Sequence, residues 1–135
     1  MNTMKAVRIH QLGGPEVLQY EDAPRPGPSA GEVLVRVHAA SVNPADWKTR
    51  SGFQPTRQPL AFPHILGWDI AGVVESVGSS VTVFRPGDDV YGLIRFPQPG
   101  SAYAQYATAP VEHLAAKPER LDHLQAAALP LVALT

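Results

Sequence analysis

The chain has 135 residues, a formal net charge of −1 and no cysteine. This length suffices for one domain with a hydrophobic core, and the near-neutral charge predicts no binding of nucleic acid or of an anionic membrane surface. Without cysteine the chain forms no disulfide and no thiolate metal site. No apolar run approaches the roughly 20 residues of a membrane span, and the first residues lack the apolar stretch of a secretory signal. We therefore expect a soluble, cytoplasmic protein, and its 11 glycines and 14 prolines favour many short strands.

The first part of the chain is predicted to form a hairpin and a longer strand. Alternating residues predict a strand over Lys5–His10, which ends at the Gly13-Gly14-Pro15 turn and pairs with Val17–Glu21. The clearest strand pattern covers Glu32–Ala40, where every second residue from Val33 shares one face.

A short helix follows, over residues 44–50. Asn43 is a favoured N-cap, Pro44 suits the first helical position, and Asp46 stands where a capping box needs a carboxyl. The helix is expected to end near Ser51-Gly52, and the three prolines within residues 53–63 predict an irregular loop.

The second half contains four further strand patterns. Residues 67–77 predict a strand in which Ala71 and Gly72 allow another backbone to approach closely. Shorter strands are predicted in the ranges Asp89–Leu93, Tyr103–Thr108 and Val111–Lys117.

The pattern changes after Pro118. Asp122 with Gln125 three residues later predicts a second capped helix. Residues 130–135 are apolar up to the final threonine, and this tail is expected to need a partner that buries it. We interpret the chain as part of a longer protein.

Several motifs, in order and with consistent spacing, carry a resemblance to a known family. The motifs are Asn43-Pro44-Ala45-Asp46, Gly67–Gly78, Pro86–Val90, Gly100–Tyr106 and Ala126–Pro130. The chain resembles the N-terminal catalytic domain of the medium-chain dehydrogenase/reductase superfamily, in its zinc-free, NADPH:quinone-reductase-like branch. The resemblance implies a mainly β fold, a GroES-like partly open β-barrel with short helices, over residues 1–121. It also implies that residues 122–135 begin the link to a doubly wound (Rossmann) nucleotide domain that is missing from the chain.

The resemblance also bears on metal binding. Zinc-dependent relatives have a cysteine at the place of Asn43 and a His-Glu pair at the place of Trp68-Asp69, and the place of a third ligand near Leu131 is apolar here. Zinc needs three Cys, His or carboxylate ligands and an open position. We therefore expect no metal site, and we interpret His64 as a loop or packing histidine.

The same resemblance also implies which residues form the site. The Asn43 amide can hydrogen-bond a carbonyl oxygen or a cofactor hydroxyl, although a role as helix cap alone remains open. Asp46 and Lys48 are the other candidate catalytic residues, with capping and a solvated helix face as their plainer interpretations. Lys48 and the family threonine that aligns with Thr135 are also candidate contacts of the cofactor. The candidate substrate-binding aromatics, each of which core packing would also explain, are Trp47, Phe62, Trp68 and Tyr103.

The implied function is NADPH-dependent hydride transfer to a quinone or an α,β-unsaturated carbonyl, without zinc, by a parent protein that is expected to be a homodimer. This chain alone is expected to be inactive, because no Gly-x-Gly-x-x-Gly fingerprint follows a strand and NADPH would be bound mainly by the missing domain. Two alternatives are a non-enzymatic GroES-like β-barrel that acts as an interaction module and a zinc alcohol dehydrogenase. The absence of cysteine argues against the second.

Overall fold

The computed structural model describes residues 2–54 and 58–135. Its elements, in chain order, are β1 (Thr3–Ile9), β2 (Gln19–Pro24), β3 (Glu32–Ala40), α1 (Pro44–Arg50), β4 (His64–Ile65), β5 (Asp69–Val77), β6 (Asp89–Leu93), β7 (Tyr106–Pro110), β8 (Ala115–Ala116), α2 (His123–Ala127) and α3 (Pro130–Leu134). The predicted helix at 44–50 is confirmed. The predicted loop over 53–63 includes residues 55–57, which lie outside the described residues.

Two antiparallel sheets form the barrel. One has the strand order β2-β1-β4 and the other β7-β3-β5-β6-β8. The segment before β7 joins them, because the Val7 N–H donates to the carbonyl of Tyr103 at 2.8 Å and the Val37 N–H donates to that of Gln105 at 2.8 Å. This connection gives the partly open, mainly β barrel that the resemblance implies.

The main core is formed by side chains of the larger sheet together with side chains from the loops that pack against it. Its fully or almost fully buried members include Val33, Val35, Ile70, Val74, Val90 and Ile94. The alternation predicted for β3 is confirmed at Val33 and Val35, and Leu34 on the opposite face is buried as well.

Gly72 lies where β3 and β5 approach each other closely. A Cβ at this position would stand 2.1 Å from the carbonyl oxygen of Arg36, a distance that no side chain tolerates. The predicted close approach at this glycine is therefore confirmed.

Three predicted strands differ from the structure. The strand predicted over Val17–Glu21 is displaced to β2, because Val17 ends a 3-10 turn at Pro15–Val17. The strand predicted over Tyr103–Thr108 is displaced to β7, because the Tyr103 N–H donates to the carbonyl of Leu66 and the chain turns with a positive φ at Ser101. The strand predicted over Val111–Lys117 is interrupted by a 3-10 turn at Val111–His113, which leaves only the two residues of β8.

The C-terminal segment folds back onto the larger sheet. The predicted capping box of α2 is confirmed, with the Gln125 N–H donating to Asp122 at 2.7 Å and the Asp122 N–H donating to Gln125 at 3.0 Å. Ala126 and Ala127 pack against Ala71 of β5. The apolar tail forms α3, and no helix within residues 2–54 and 58–135 has the length and apolar character needed to cross a bilayer.

Candidate active site

The N-terminus of α1 brings Asn43 and Asp46 together. Asn43 is the N-cap, with extended backbone, and Pro44 is the first helical residue. The Asn43 N–H donates to Oδ2 of Asp46 at 2.8 Å, and both side chains are buried. The capping role predicted from the sequence is confirmed, whereas a contact of either residue with a substrate or cofactor stays a prediction.

A second carboxylate, that of Asp69, lies beside Asn43 at the start of β5. Its side chain is 0% exposed. Oδ2 accepts hydrogen bonds from Ser41 Oγ at 2.6 Å and from Asn43 Nδ2 at 2.9 Å, and Oδ1 accepts one from the Leu131 N–H at 3.0 Å. Burying a carboxylate is costly unless hydrogen-bond donors replace water. Asp69 satisfies this requirement with three donors from two separate segments, the stretch before α1 and the start of α3.

The carboxyl group of Asp46 is held in a different environment. Burial raises the pKa of Asp46, and the backbone N–H groups of Asn43 and Gly67 and the Tyr103 hydroxyl oppose this rise only in part. Burial, followed by the nearby charge of Asp46, raises the pKa of Tyr103 far above its ordinary value. The hydroxyl influences the carboxyl electrostatically, but neither Tyr103 Oη nor Asp46 Oδ1 forms a hydrogen bond of good geometry within the described part of the chain. The pair therefore combines a carboxyl whose pKa is raised above that of an ordinary aspartate with a phenol that is harder to ionise than an ordinary tyrosine.

A cavity of about 350 Å³ lies between α1, β4 and the loop that precedes β7. Trp68 lines it, donates from its indole Nε1 to the carbonyl of Gln98 at 2.7 Å, and packs edge-on against Phe96. Thr49 and His64 line the same cavity from α1 and β4. Burial lowers the pKa of His64, which favours its neutral imidazole.

The predicted aromatic residues do not form one common wall. Trp68 reaches the cavity, whereas Trp47 is 48% and Phe62 is 43% exposed at the surface. Tyr103 packs with Ile9, Val17 and Leu66 instead. The structure thus brings one of the four predicted substrate-binding aromatics to this cavity, and the roles of the other three stay predictions.

Lys48 and Thr135 are not among the residues that line the cavity in the described part of the chain. Lys48 is exposed, with Nζ 5.7 Å from the ring centroid of Trp47. The Thr135 hydroxyl donates to the carbonyl of Leu131 at 2.7 Å within α3. These contacts are all within the chain, and the contacts of Lys48 and Thr135 with a cofactor stay predictions.

Asp69, Ser41 and Thr49 lie at the site although the sequence does not predict them as site residues. In the sequence Asp69 stands out only as a departure from the zinc-ligand pair of relatives. A carboxylate at the start of a strand of small and apolar residues is the signal that marks it, since such a group needs buried partners. Ser41 and Thr49 carry no comparable signal.

The described residues do not fit a zinc ion. Across residues 2–54 and 58–135 no three His, Cys, Asp or Glu side chains are grouped so that they could hold a metal. Both oxygens of Asp69 also already accept hydrogen bonds. β3 leads into α1 through Asn43-Pro44 and not through a glycine-rich turn of the kind that cradles a pyrophosphate.

Comparison with known proteins identifies the family. Residues 29–119 match the alcohol dehydrogenase GroES-like domain. The chain is 41% identical over 127 residues to quinone oxidoreductase of Rattus norvegicus, covering 93% of this chain and 37% of that protein. It is 39% identical over 135 residues to the chloroplastic NADPH-dependent alkenal/one oxidoreductase of Arabidopsis thaliana, covering 95% of this chain and 34% of that protein.

A solved structure agrees. The quinone oxidoreductase from Coxiella burnetii superposes with a TM-score of 0.93 at 41% identity, covering 99% of this chain and 43% of that one. The chain therefore spans less than half the length of each of these relatives. It belongs to the alcohol dehydrogenase GroES-like domain family, in the quinone-reductase-like branch of the medium-chain dehydrogenase/reductase superfamily.

Proposed function

We propose that the protein carrying this chain is an oxidoreductase that transfers a hydride from NADPH to a quinone or an α,β-unsaturated carbonyl without zinc. In this proposal residues 1–121 are the substrate-side domain and residues 122–135 lead to the nucleotide-binding part. The names of the relatives support the acceptor class, and the name of the Arabidopsis relative supports NADPH.

One observation carries the zinc-free part of the proposal. At the positions where zinc relatives have metal ligands, Asn43 Nδ2 donates a hydrogen bond to Asp69 at 2.9 Å. Ser41, Asn43 and Asp69 thus form a polar cluster in which Asp69 accepts from the other two side chains. Zinc would act as a Lewis acid that stabilises negative charge on oxygen. Quinones and enones spread that charge through conjugation, so they depend less on a metal.

The chain's own residues would bind and orient the acceptor. The cavity beside Trp68 has the size of a small-molecule site and a lining that includes this aromatic side chain. Asn43 does not line the cavity among the described residues; because its Nδ2 is bonded to Asp69, its Oδ1 would accept from a hydroxyl of the cofactor. Lys48 offers an exposed cation on the helix that Asn43 begins. When bound, NADPH supplies the hydride chemistry, and the protein supplies position and electrostatics.

A reductase assay tests this proposal. The protein that carries the chain, treated with a chelator, is assayed with NADPH and a quinone, an alkenal and a saturated ketone in turn. We expect NADPH oxidation with the first two. Reduction of the saturated ketone that the chelator abolishes would indicate a zinc alcohol dehydrogenase instead, and no turnover with any acceptor would favour the interaction-module alternative.

Titration of the 135-residue chain with NADPH, followed by cofactor fluorescence, tests the assignment of the domains. We expect no saturable binding, because the described residues offer no pyrophosphate cradle. Saturable binding would place the cofactor site within these residues and would contradict the division into a substrate side and a nucleotide side.

A further inference from the structure

The carboxylate of Asp69 connects two parts of the molecule that are far apart in sequence. Oδ2 faces Ser41 and Asn43 at the start of α1, and Oδ1 faces the backbone of Leu131 in α3. Neither the cap of α1 nor the cavity at Trp68 requires this arrangement.

The Leu131 N–H and the Asn43 amide both depend on Asp69 as their hydrogen-bond acceptor. The first N–H groups of a helix have no intrahelical acceptor, and the Leu131 N–H is one of them. Asp69 supplies the acceptor that it would otherwise lack. On the other side, Nδ2 of Asn43 can only donate. Its bond to Oδ2 therefore sets which way the Asn43 amide is turned.

We propose that Asp69 is a positioning residue that couples the docking of α3 to the orientation of the Asn43 side chain. The two carboxylate oxygens are held rigidly in one plane, so a rotation of the group that lengthens one bond also moves the oxygen of the other. A displacement of α3 is thereby transmitted to Asn43, and loss of the Asn43 bond loosens α3. The inference rests on the proposed function only in treating Asn43 as a residue of the acceptor site.

Amide hydrogen exchange on the 135-residue chain, read by NMR, tests the coupling. Asn43→Ala removes one donor from Oδ2 without touching α3. We expect the Leu131 amide to exchange about three- to tenfold faster, because its own bond to Oδ1 remains and only the coupling between neighbouring bonds of one hydrogen-bond network is lost. The Ala126 amide, which donates to the carbonyl of Asp122 in α2, should keep its rate. Lys48→Ala, an exposed change on the same helix, is the matched control and should alter neither.

Two further variants secure the interpretation. Ser41→Ala removes the other donor to Oδ2 without changing the helix cap, and it should also speed exchange at Leu131. Asp69→Asn, which cannot accept from both sides, should give the largest effect.

An unchanged Leu131 rate in both Asn43→Ala and Ser41→Ala would overturn the coupling, even if Asp69→Asn alone released α3. A rise at Leu131 that is matched by the amides of β3 would also overturn it, because this would show global unfolding. The experiment does not measure turnover, so its failure and the failure of the reductase assay are distinguishable.

Discussion

Replacing Gly72 with alanine would place a methyl group where the backbone of β3 now lies. The new Cβ would stand 2.1 Å from the carbonyl oxygen of Arg36 and 3.0 Å from Cγ1 of Val35. The nearest atom belongs to the backbone, so relief requires β3 and β5 to separate by roughly an ångström at the centre of the larger sheet. Overpacking of a core costs about 1–3 kcal/mol, and a clash with backbone should reach the upper end of that range.

The assay is thermal unfolding followed by circular dichroism. A loss of about 3 kcal/mol should lower the Tm by roughly 10 °C in a domain of this size. Gly31→Ala is the matched control, because a Cβ there meets nothing within 4 Å, and its Tm should stay close to that of the wild type. If the two variants melted within two or three degrees of each other, the close approach at Gly72 would not limit stability and the reasoning would be wrong.

Three further predictions concern the site and the pH dependence. Asn43→Ala should lower kcat of the protein that carries the chain and cost about 1–2 kcal/mol of stability; a loss of stability with unchanged turnover per folded molecule would leave only the cap role. Lys48→Tyr should change the ratio of kcat/KM between quinone and enone acceptors, and an unchanged ratio would remove Lys48 from the site. Burial, reinforced at His123 by the nearby His38, lowers the pKa of His64 and His123. Folding therefore favours their neutral forms, so the stability that they contribute is complete above the unfolded pKa of about 6.5 and declines as the pH falls below it. The Tm of His123→Gln, measured across that range, should fall less steeply than that of the wild type, and parallel curves would contradict this.

Elements whose signals are local could be predicted from the sequence. The Asn43-Pro44 start and Asp46 fix α1, and the alternation of Glu32–Ala40 fixes β3 with the same limits as in the structure. The strands between Ser101 and Lys117 were predicted only in part, because tertiary contacts decide their limits. The Arg95 N–H donates to Nδ1 of His113 at 3.0 Å, and this contact lies in the 3-10 turn that interrupts the expected strand.

The candidate site was predictable only in part for the same reason. Asn43 and Asp46 lie on one helix, so their relation follows from spacing. Asp69 is 26 residues from Asn43 and 62 residues from Leu131. The family resemblance places these positions around one site, but no local pattern predicts the hydrogen bonds between them. The packing of the fold decides which aromatic side chains face the cavity. Residue type cannot show this, because all four candidates are aromatic.

Hydride transfer to a conjugated acceptor is the central claim, and isotope transfer measures it most directly. The protein that carries this chain is given an alkenal and NADPH that carries deuterium at C4 of the nicotinamide, in each of its two stereochemical forms, after treatment with a chelator. We predict that one form delivers deuterium to the β carbon of the saturated product, at a rate that the chelator does not change. A product without deuterium from either form, or turnover that returns only when zinc is added, would contradict the account.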